Sequence, residues 1–345
     1  MGIKLSEIIP KKEISFDDLR GKKIAVDFSN TVFQFLSSIR QRDGTPLMDL
    51  KGRVTSHLQG IFSRFSNLMQ RDIKLAVIFD GKPPLLKIKT QEEREHRKQL
   101  AEKKLKQAME EEDEEAILKY SKQTTRLNKG ILEESRELIK AMGIPVIQAP
   151  SEAEAQAAFM CEKEDVYAVA TSDFDALIYG CPRMLTNMTV SQRKKLPSGS
   201  TIKISPVLIE LSDTLNHLGI TLDQLLVLAI LVGTDFNEGV HKVGPKTALK
   251  LVKQYRNFDN LFEEVKADFN WKEIYAVFKS MPIMKNYKLN WEYPDEKKIR
   301  EILVEEHDFS EERVDKTLSL LLKINKKKEQ TGLSKWGIKS VSSSK

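Results

Sequence analysis

The sequence has few of the residues that build zinc sites, disulfide frameworks or membrane spans. Its 345 residues include two cysteines, Cys161 and Cys181, and five histidines, with no CxxC or HxxxH spacing. These counts argue against a zinc centre and favour a reducing compartment. No stretch reaches the ~18 apolar residues of a membrane-spanning helix, and the opening residues lack a signal-peptide pattern. We therefore expect a cytoplasmic protein without a membrane partner, in which any metal is held by carboxylates.

Charge is abundant by contrast, and its balance is basic. Charged residues make up 31% of the chain, the formal net charge is +6 and the isoelectric point is about 9.0. This balance favours a polyanionic partner, nucleic acid above all, because basic side chains that meet phosphates release condensed counterions. A protein with a merely basic surface would have the same composition, so charge alone leaves both interpretations open.

Short apolar runs alternate with helical patterns over the first half of the chain. The runs predict strands at Lys23–Phe28, Lys74–Phe79, Ile144–Ile147 and Val166–Thr171. Helical periodicity covers His57–Gln70 and Gly130–Met142. The alternation predicts an α/β fold with a mostly parallel central sheet flanked by helices. After Asn187 the pattern becomes helical, and the apolar segment Leu222–Val232 predicts a buried helix.

Two segments differ in character from this core. Residues 91–129 are rich in charged helix formers, with the acidic block Glu110–Glu115 near the middle, and predict a pair of charged helices beside the globule. They could be a solvated hairpin or a mobile cap over a site. The last twenty residues, from Lys326, are basic and then serine-rich, and predict a flexible tail.

Acidic residues fall where the predicted strands end. These acids are Asp27, Asp80, Glu152, Glu154, Asp173 and Asp175, and a seventh, Asp235, follows the predicted buried helix. Because the carboxyl ends of parallel strands meet at one edge of a sheet, we expect these side chains to converge. Each acid alone has an ordinary explanation; Ser151 and Glu154, for example, could form a capping box.

Together the acids require neutralisation. Two carboxylates ~4 Å apart repel by about 4 kcal/mol at an effective dielectric constant near 20. Raised pKa values or bound cations must relieve that repulsion. A set of hard oxygen ligands selects Mg²⁺ or Mn²⁺, and two such ions ~4 Å apart could activate water and stabilise a departing phosphodiester oxygen.

Basic residues accompany the acids. Five basic residues follow Asp80 in the sequence: Lys82, Lys87, Lys89, Arg94 and Arg97. They could lie beside a scissile phosphate, where positive charge assists cleavage, or on a helix face exposed to solvent. The segment Gly239–Val252 predicts a glycine-hinged turn that leads into a helix, which would offer backbone N–H groups to the DNA backbone.

Nearly the whole chain resembles the flap endonucleases, structure-specific 5′ nucleases of the XPG type, and its compact length resembles their archaeal branch. The segments that carry the resemblance are, in order, MGI, IAVDFSN, GRVTSHLQG, VIFDGKPPLLK, APSEAEAQAA, TSDFDAL, GTDFNEGV with VGPKTA, and PDEKKIREILVEEHDFSEERV. The resemblance implies cleavage at the base of 5′ DNA flaps, with 5′–3′ exonuclease activity at nicks and gaps, in Okazaki fragment processing and DNA repair.

The resemblance also implies the roles of single residues. The seven acids match the ligands of two Mg²⁺ ions, for which Mn²⁺ could substitute, with Asp173 and Asp175 central to catalysis, and Lys87 and Arg94 match the basic pair at the scissile phosphate. The residues that match DNA contacts are Gly2, Phe33, Thr55, Arg64, Gly239, Gly244, Lys246 and Thr247. The hairpin from Gly239 to Thr247 would bind duplex backbone together with K⁺, while Thr55 and Arg64 would grip a 3′ flap.

Three positions depart from the family pattern. Phe33 stands where a tyrosine is usual, and His241 interrupts the usual hairpin sequence. In the tail, Gln330, Leu333 and Trp336 match a peptide that binds the sliding clamp, but Gly337 replaces its second aromatic residue. We expect a free monomer that binds branched DNA and the clamp.

The regions expected from these patterns are a nuclease region at 1–98, a helical arch at 99–129, a second nuclease region with a helix-hairpin-helix at 130–258, a helical region packed on the core at 259–325, and a tail at 326–345. Two alternatives remain at this point. A PIN-like ribonuclease also carries acids at strand ends, and a non-catalytic DNA-binding factor could be tethered to the clamp.

Overall fold

The computed structural model describes residues 5–41, 43–87, 99–100, 103–104, 127–188, 193–195 and 201–335, with the backbone alone at 193–195, 201–203 and 324–335. Strands β1–β9 are, in chain order, Lys12–Glu13, Lys23–Asp27, Lys74–Phe79, Val146–Gln148, Ala168–Ala170, Arg183–Thr186, Arg193–Lys195, Thr201–Lys203 and Val207–Glu210. Helices α1–α13 are, in chain order, Phe28–Ser38, Ser56–Gly60, Ser66–Gln70, Lys129–Ala141, Ala153–Glu162, Asp175–Ile178, Leu211–Leu218, Leu222–Val232, Pro245–Gln254, Phe258–Glu264, Trp271–Lys279, Glu296–Arg300 and Glu311–Lys335. The π-helical turn Ile61–Phe65 joins α2 to α3, and a second one, Glu301–Glu305, follows α12.

Seven strands form the central sheet, in the order β1-β9-β6-β5-β2-β3-β4. The five strands from β6 to β4 are parallel, while β9 and β1 add an antiparallel edge. The predicted α/β fold with a mostly parallel sheet is therefore confirmed. The strand β3 has the predicted bounds, because its run of apolar residues is buried on both faces.

The register of the parallel strands sets the position of the acids. In the centre of the sheet, Asp27 of β2 lies opposite Ile78 of β3, and Val26 lies opposite Ala170 of β5. Phe79, the last residue of β3, lies opposite Gln148 of β4. Each of these strands thus ends at the same edge of the sheet, and an acid lies at the strand end or shortly after it.

Helices cover both faces of the sheet. Alanines of α5 are buried against the strands, and their small side chains let this helix approach closely enough to bring its acidic N-terminus to the sheet edge. The helix α8 is buried from Leu225 to Leu231, as its apolar sequence predicts. Among the described residues no single helix is both long enough and apolar enough to span a membrane. The pair of α7 and α8 meets these two criteria when the helices are taken together, but the pair is bent by 79° between them.

The second half of the chain differs from the sequence predictions in two places. Three strands, β7 to β9, follow Asn187, where the sequence predicted helices, because runs of three or four residues are too short to show a period. The helix α13 continues to Lys335, so the backbone of residues 326–335 is helical, where the sequence analysis predicted no helix. Lysine, glutamine and leucine in this stretch are good helix formers, which explains the continuation.

Candidate active site

Five chain segments bring the seven predicted acids to the carboxyl edge of the sheet. Asp27 ends β2, and Asp80 is the first residue after β3. Glu152 occupies the N-cap position of α5 without a side-chain capping hydrogen bond, and Glu154 lies in the first turn of that helix. Asp173 and Asp175 follow β5, with Asp175 opening α6, and Asp235 follows α8. The short α6 and the first turn of α5 let acids two positions apart approach the same edge.

Three acids come close enough to share one cation. One carboxylate oxygen each from Asp80, Glu152 and Glu154 lies within 4.8 Å of the other two. In Asp80, Oδ1 accepts a hydrogen bond from the backbone N–H of Ala153 at 2.7 Å, and Oδ2 accepts one from the hydroxyl of Ser29. The carboxylate of Asp80 is therefore held in place from two sides before any cation binds.

Asp27 lies deeper and is fully buried. Its Oδ2 accepts a hydrogen bond from Thr171 Oγ1 at 2.9 Å, and its Oδ1 accepts one from the backbone N–H of Asn30 at 3.2 Å. Burial, with Asp80 and Asp173 nearby, raises the pKa of Asp27 from 3.8 to about 7. The fold thus holds a carboxyl group whose ionisation is costly without a compensating charge.

Glu154 and Asp175 behave in the same way as Asp27. Burial and the charges of Asp27 and Asp80 raise the pKa of Glu154 well above its ordinary value. Burial and the nearby Asp173 and Asp235 do the same to the pKa of Asp175. Oδ1 of Asp175 is buried, and no described residue donates a hydrogen bond to it. An acceptor without a donor in a cluster of acids fits a ligand that carries positive charge.

Lys87 supplies positive charge at the centre of the cluster. Its ammonium group contacts Glu152 and lies 3.2 Å from Oδ2 of Asp235, so it bridges α5 and the segment after α8. Burial alone would lower the pKa of Lys87, but the carboxylates of Glu152 and Asp235 outweigh burial and raise it. Lys87 therefore stays protonated, and it partly offsets the burial that raises the pKa of Glu152.

The predicted DNA-contacting residues that the structure describes lie on α1, around α2 and at the start of α9. Phe33 lies on α1 with 38% of its surface exposed. Thr55 precedes α2 and is buried, and Arg64 lies half-buried in the following π-helical turn, where burial lowers its pKa. The predicted residues Gly2, Arg94 and Trp336 lie outside the described residues. Gln330 and Leu333 lie on the described backbone of α13.

The predicted hairpin forms a turn that leads into α9. Gly239 has φ of +83°, and a Cβ there would lie 2.4 Å from the carbonyl oxygen of Val232, so the position requires glycine. Gly244 caps α9, and Lys246 and Thr247 lie exposed in its first turn. Pro245 opens the helix and, in the part of the chain that the structure describes, no side chain caps it, so the backbone N–H groups that follow Pro245 can bind a phosphate.

Sequence reasoning missed the polar residues that orient the acids. Ser29 and Thr171 donate hydroxyl hydrogen bonds to Asp80 and Asp27, and Asn30 accepts from Ser172 in the segment that leads to Asp173. Each follows a strand as closely as the acids do. Their positions in the sequence do not show which acid or which segment each of them contacts, because these contacts depend on the register of neighbouring strands.

Comparisons with known proteins agree with this arrangement. Residues 1–101 match the XPG N-terminal domain family, and residues 143–235 match the XPG I-region. The chain is 46% identical over 341 residues to the flap endonuclease 1 of Pyrococcus abyssi, which covers 98% of this chain and 99% of that protein. The chain belongs to the flap endonuclease family. The suspected resemblance is thereby confirmed.

Solved structures show the same fold. The structure of flap endonuclease-1 from Methanococcus jannaschii matches this flap endonuclease with a TM-score of 0.74 and 41% identity, covering 93% of this chain and 98% of that one. The catalytic core of Rad2, solved in complex with a DNA substrate, matches with a TM-score of 0.69 and 22% identity, covering 90% and 96%. At that identity the second match shows the fold alone.

Proposed function

We propose that this flap endonuclease hydrolyses one phosphodiester bond at the base of a 5′ DNA flap, and trims 5′ ends at nicks and gaps, in DNA replication and repair. The observation that carries the proposal is the convergence of seven acids and Lys87 at one sheet edge. Family membership argues against both a PIN-like ribonuclease and a non-catalytic factor.

The acids fit two Mg²⁺ ions, with Mn²⁺ as a substitute. Their donor set is oxygen alone, burial and neighbouring carboxylates raise the pKa values of Asp27, Glu154 and Asp175, and Asp175 has a buried oxygen that accepts from no described residue. Asp80, Glu152 and Glu154 would hold one ion, Asp173, Asp175 and Asp235 would hold the other, and Asp27, which lies near both Asp80 and Asp173, would complete the set of ligands. Such ions supply Lewis acidity and charge neutralisation for in-line displacement at phosphorus.

The protein's own groups orient the substrate around that chemistry. Lys87 is charged, and its ammonium group is already held by Glu152 and Asp235 at the acid cluster, so its donors are positioned for a phosphate oxygen. We assign Arg94 the same role. We also assign Phe33 a stacking contact with the nucleotide at the cleavage site, where an aromatic face suffices without a hydroxyl.

Duplex DNA would lie along the turn and first helical turn of α9. The N–H groups after Gly244, together with Lys246 and Thr247, suit backbone phosphates, and K⁺ bound at the Gly239–Gly244 turn would add charge. Thr55 and Arg64 would receive a 3′ flap. Contacts of this kind predict that log K falls by about 0.9 per neutralised phosphate as log salt rises.

We further propose that the end of the chain binds a sliding clamp through Gln330, Leu333 and Trp336, while the free enzyme is a monomer. The supporting observation is the sequence match alone. A chain ending at residue 325 should lose binding to the clamp in calorimetry and keep its flap cleavage. Unchanged binding would place the contact elsewhere.

A substrate panel tests the proposed reaction. The panel contains an end-labelled double-flap DNA, the same structure with an RNA flap, and the free single strand, each incubated with Mg²⁺ or with EDTA. We expect a Mg²⁺-dependent cut of the DNA flap at its junction. Preferential cleavage of the RNA flap, away from the junction, would favour a PIN-like ribonuclease. Tight binding without cleavage would favour a non-catalytic factor.

A further inference from the structure

Asp80 occupies an unusual place among the acids, because the ladder between β3 and the following segment ends just before its carbonyl group, with the hydrogen bond from the N–H of Ala149 to the carbonyl of Phe79 at 2.9 Å. β3 ends at Phe79, one residue earlier, and the β3–β4 register also ends at Phe79. The next residue, Gly81, is tied to the neighbouring loop by a hydrogen bond from its N–H to the carbonyl of Ser151 at 2.6 Å. The direction of the Asp80 carboxylate therefore depends on what fixes its backbone as well as on the hydrogen bonds that the carboxylate accepts from Ala153 and Ser29.

The side chain of Gln148 binds that backbone. Its Nε2 donates to the carbonyl of Asp80 at 2.5 Å and to the carbonyl of Phe79 at 3.3 Å. Its Oε1 accepts a hydrogen bond from Arg136 NH2 at 2.6 Å. Since an arginine side chain offers donors alone, Oε1 must face the guanidinium, and the amide nitrogen must face the carbonyls. Arg136 thus fixes which way the amide points.

Arg136 is itself held in place by an aromatic ring. Its guanidinium lies over Phe79 at 4.1 Å from the ring centroid, and partial burial lowers its pKa. The ring of Phe79 also stacks on the ring of Phe28, the residue that follows Asp27, with 4.3 Å between the two ring centroids. The guanidinium, the ring and the amide therefore form one packed unit behind the carbonyl of Asp80.

We propose that Gln148 and Arg136 are positioning residues for Asp80: the amide of Gln148, oriented by Arg136, holds the Asp80 backbone so that its carboxylate stays aimed at the acid cluster. The proposal rests on the proposed metal site. Neither residue contacts an acid's carboxylate in the structure, so their influence passes through the peptide of Asp80.

The sign of the effect separates positioning from simple electrostatics. Arg136 carries a positive charge near a cation site, so charge repulsion alone predicts that its removal strengthens metal binding. Loss of positioning predicts weaker binding. Residues that orient metal ligands typically change affinity 10- to 100-fold when they are replaced.

The test is Mn²⁺ binding to the metal-free full chain, followed by electron paramagnetic resonance. We expect Gln148→Met and Arg136→Met to bind Mn²⁺ about 10-fold more weakly than the wild type, with the double variant no weaker than Gln148→Met. Arg136→Lys, which keeps a donor for Oε1, should recover much of the affinity. Thermal unfolding in EDTA checks that each variant folds.

Arg183 provides a matched control at the opposite end of the sheet. Its guanidinium lies over Tyr167 at 4.7 Å from the ring centroid, and its Nε donates to the carbonyl of Tyr167 at 2.6 Å. Arg183→Met should therefore leave Mn²⁺ affinity unchanged. Unchanged or stronger binding by both Gln148→Met and Arg136→Met would overturn the inference, as would an equal loss in Arg183→Met. Absence of Mn²⁺ binding by the wild type would overturn the proposed metal site and this inference with it.

Discussion

Replacing Asp27 by asparagine should stabilise the metal-free protein. The substitution removes a buried charge whose pKa is raised from 3.8 to about 7 by burial and by Asp80 and Asp173. Each pKa unit corresponds to about 1.4 kcal/mol, so holding Asp27 ionised costs about 4 kcal/mol of folding free energy. Asparagine keeps one of the two acceptor oxygens, and loss of the other costs about 1 kcal/mol. The expected net gain is about 2–3 kcal/mol.

The gain must depend on pH with a definite sign. Below about pH 4 Asp27 is protonated in both folded and unfolded chains, so its charge has no cost there. The cost grows as pH rises through the interval up to about 7, and it is complete above that interval. In EDTA near pH 8, Asp27→Asn should therefore melt roughly 3–4 °C above the wild type, given the entropy of unfolding of a chain this long. Near pH 4 the gain should be gone, and the variant should be about 1 kcal/mol less stable than the wild type because of the acceptor that it lacks.

Thermal unfolding by circular dichroism measures this difference, and two further conditions sharpen it. With Mg²⁺ present the order should reverse, because metal binding stabilises the wild type and the variant lacks a ligand. Asp49 is the control: hydrogen bonds from Arg53 and His307 outweigh its burial and lower its pKa to about 2, so Asp49→Asn should destabilise the protein near pH 8. The reasoning would be refuted if Asp27→Asn melted below the wild type in EDTA near pH 8, or if its gain in melting temperature did not change with pH.

Three further perturbations probe other parts of the structure. Gly81→Ala places a Cβ 2.2 Å from the carbonyl oxygen of Ala149, so urea unfolding should show a free energy of unfolding lower by about 1–3 kcal/mol. The control is Gly244→Ala, whose Cβ meets no described atom within 4 Å. Equal losses of stability in the two variants would contradict the packing around Gly81. Burial lowers the pKa of His57 below its ordinary 6.5, so the unfolded chain takes up a proton at this residue before the folded chain does. Acidification should therefore destabilise the wild type more than His57→Gln. An equal fall of melting temperature with pH in the two proteins would argue against this. Lys87→Met should lower kcat on flap DNA about 100-fold with little change in KM, and a rise in KM alone would reassign Lys87 to binding.

The sequence predicted the parts of the fold that depend on local pattern. The bounds of Lys74–Phe79 and Leu222–Val232 agree with the structure, because long apolar runs can only be buried. The placement of acids after strands followed from one topological rule, that parallel strands present their carboxyl ends together. The antiparallel strand Val207–Glu210 escaped prediction, since four residues show no period.

The environment of the acids could not be predicted in the same way. Asp27 was expected at a strand end, but its role as the N-cap of α1, with Asn30 as donor, depends on where the strand stops. The pairing of Gln148 with the carbonyl of Asp80 requires the β3–β4 register, and its link to Arg136 requires the packing of α4. The contact of Gln148 with Asp80 joins residues 68 positions apart, and its contact with Arg136 joins residues 12 positions apart; no spacing rule in the sequence encodes either of them.

Single-turnover cleavage of a double-flap DNA in Mg²⁺ tests the central claim, that the buried acids act as the catalytic metal site. The comparison is between the wild type, Asp175→Asn and the remote Asp49→Asn. The account predicts a junction cut that Asp175→Asn slows more than about 100-fold, beyond the effect typical of residues that merely support a ligand, while Asp49→Asn cuts at close to the wild-type rate. Cleavage by Asp175→Asn at the wild-type rate would contradict it.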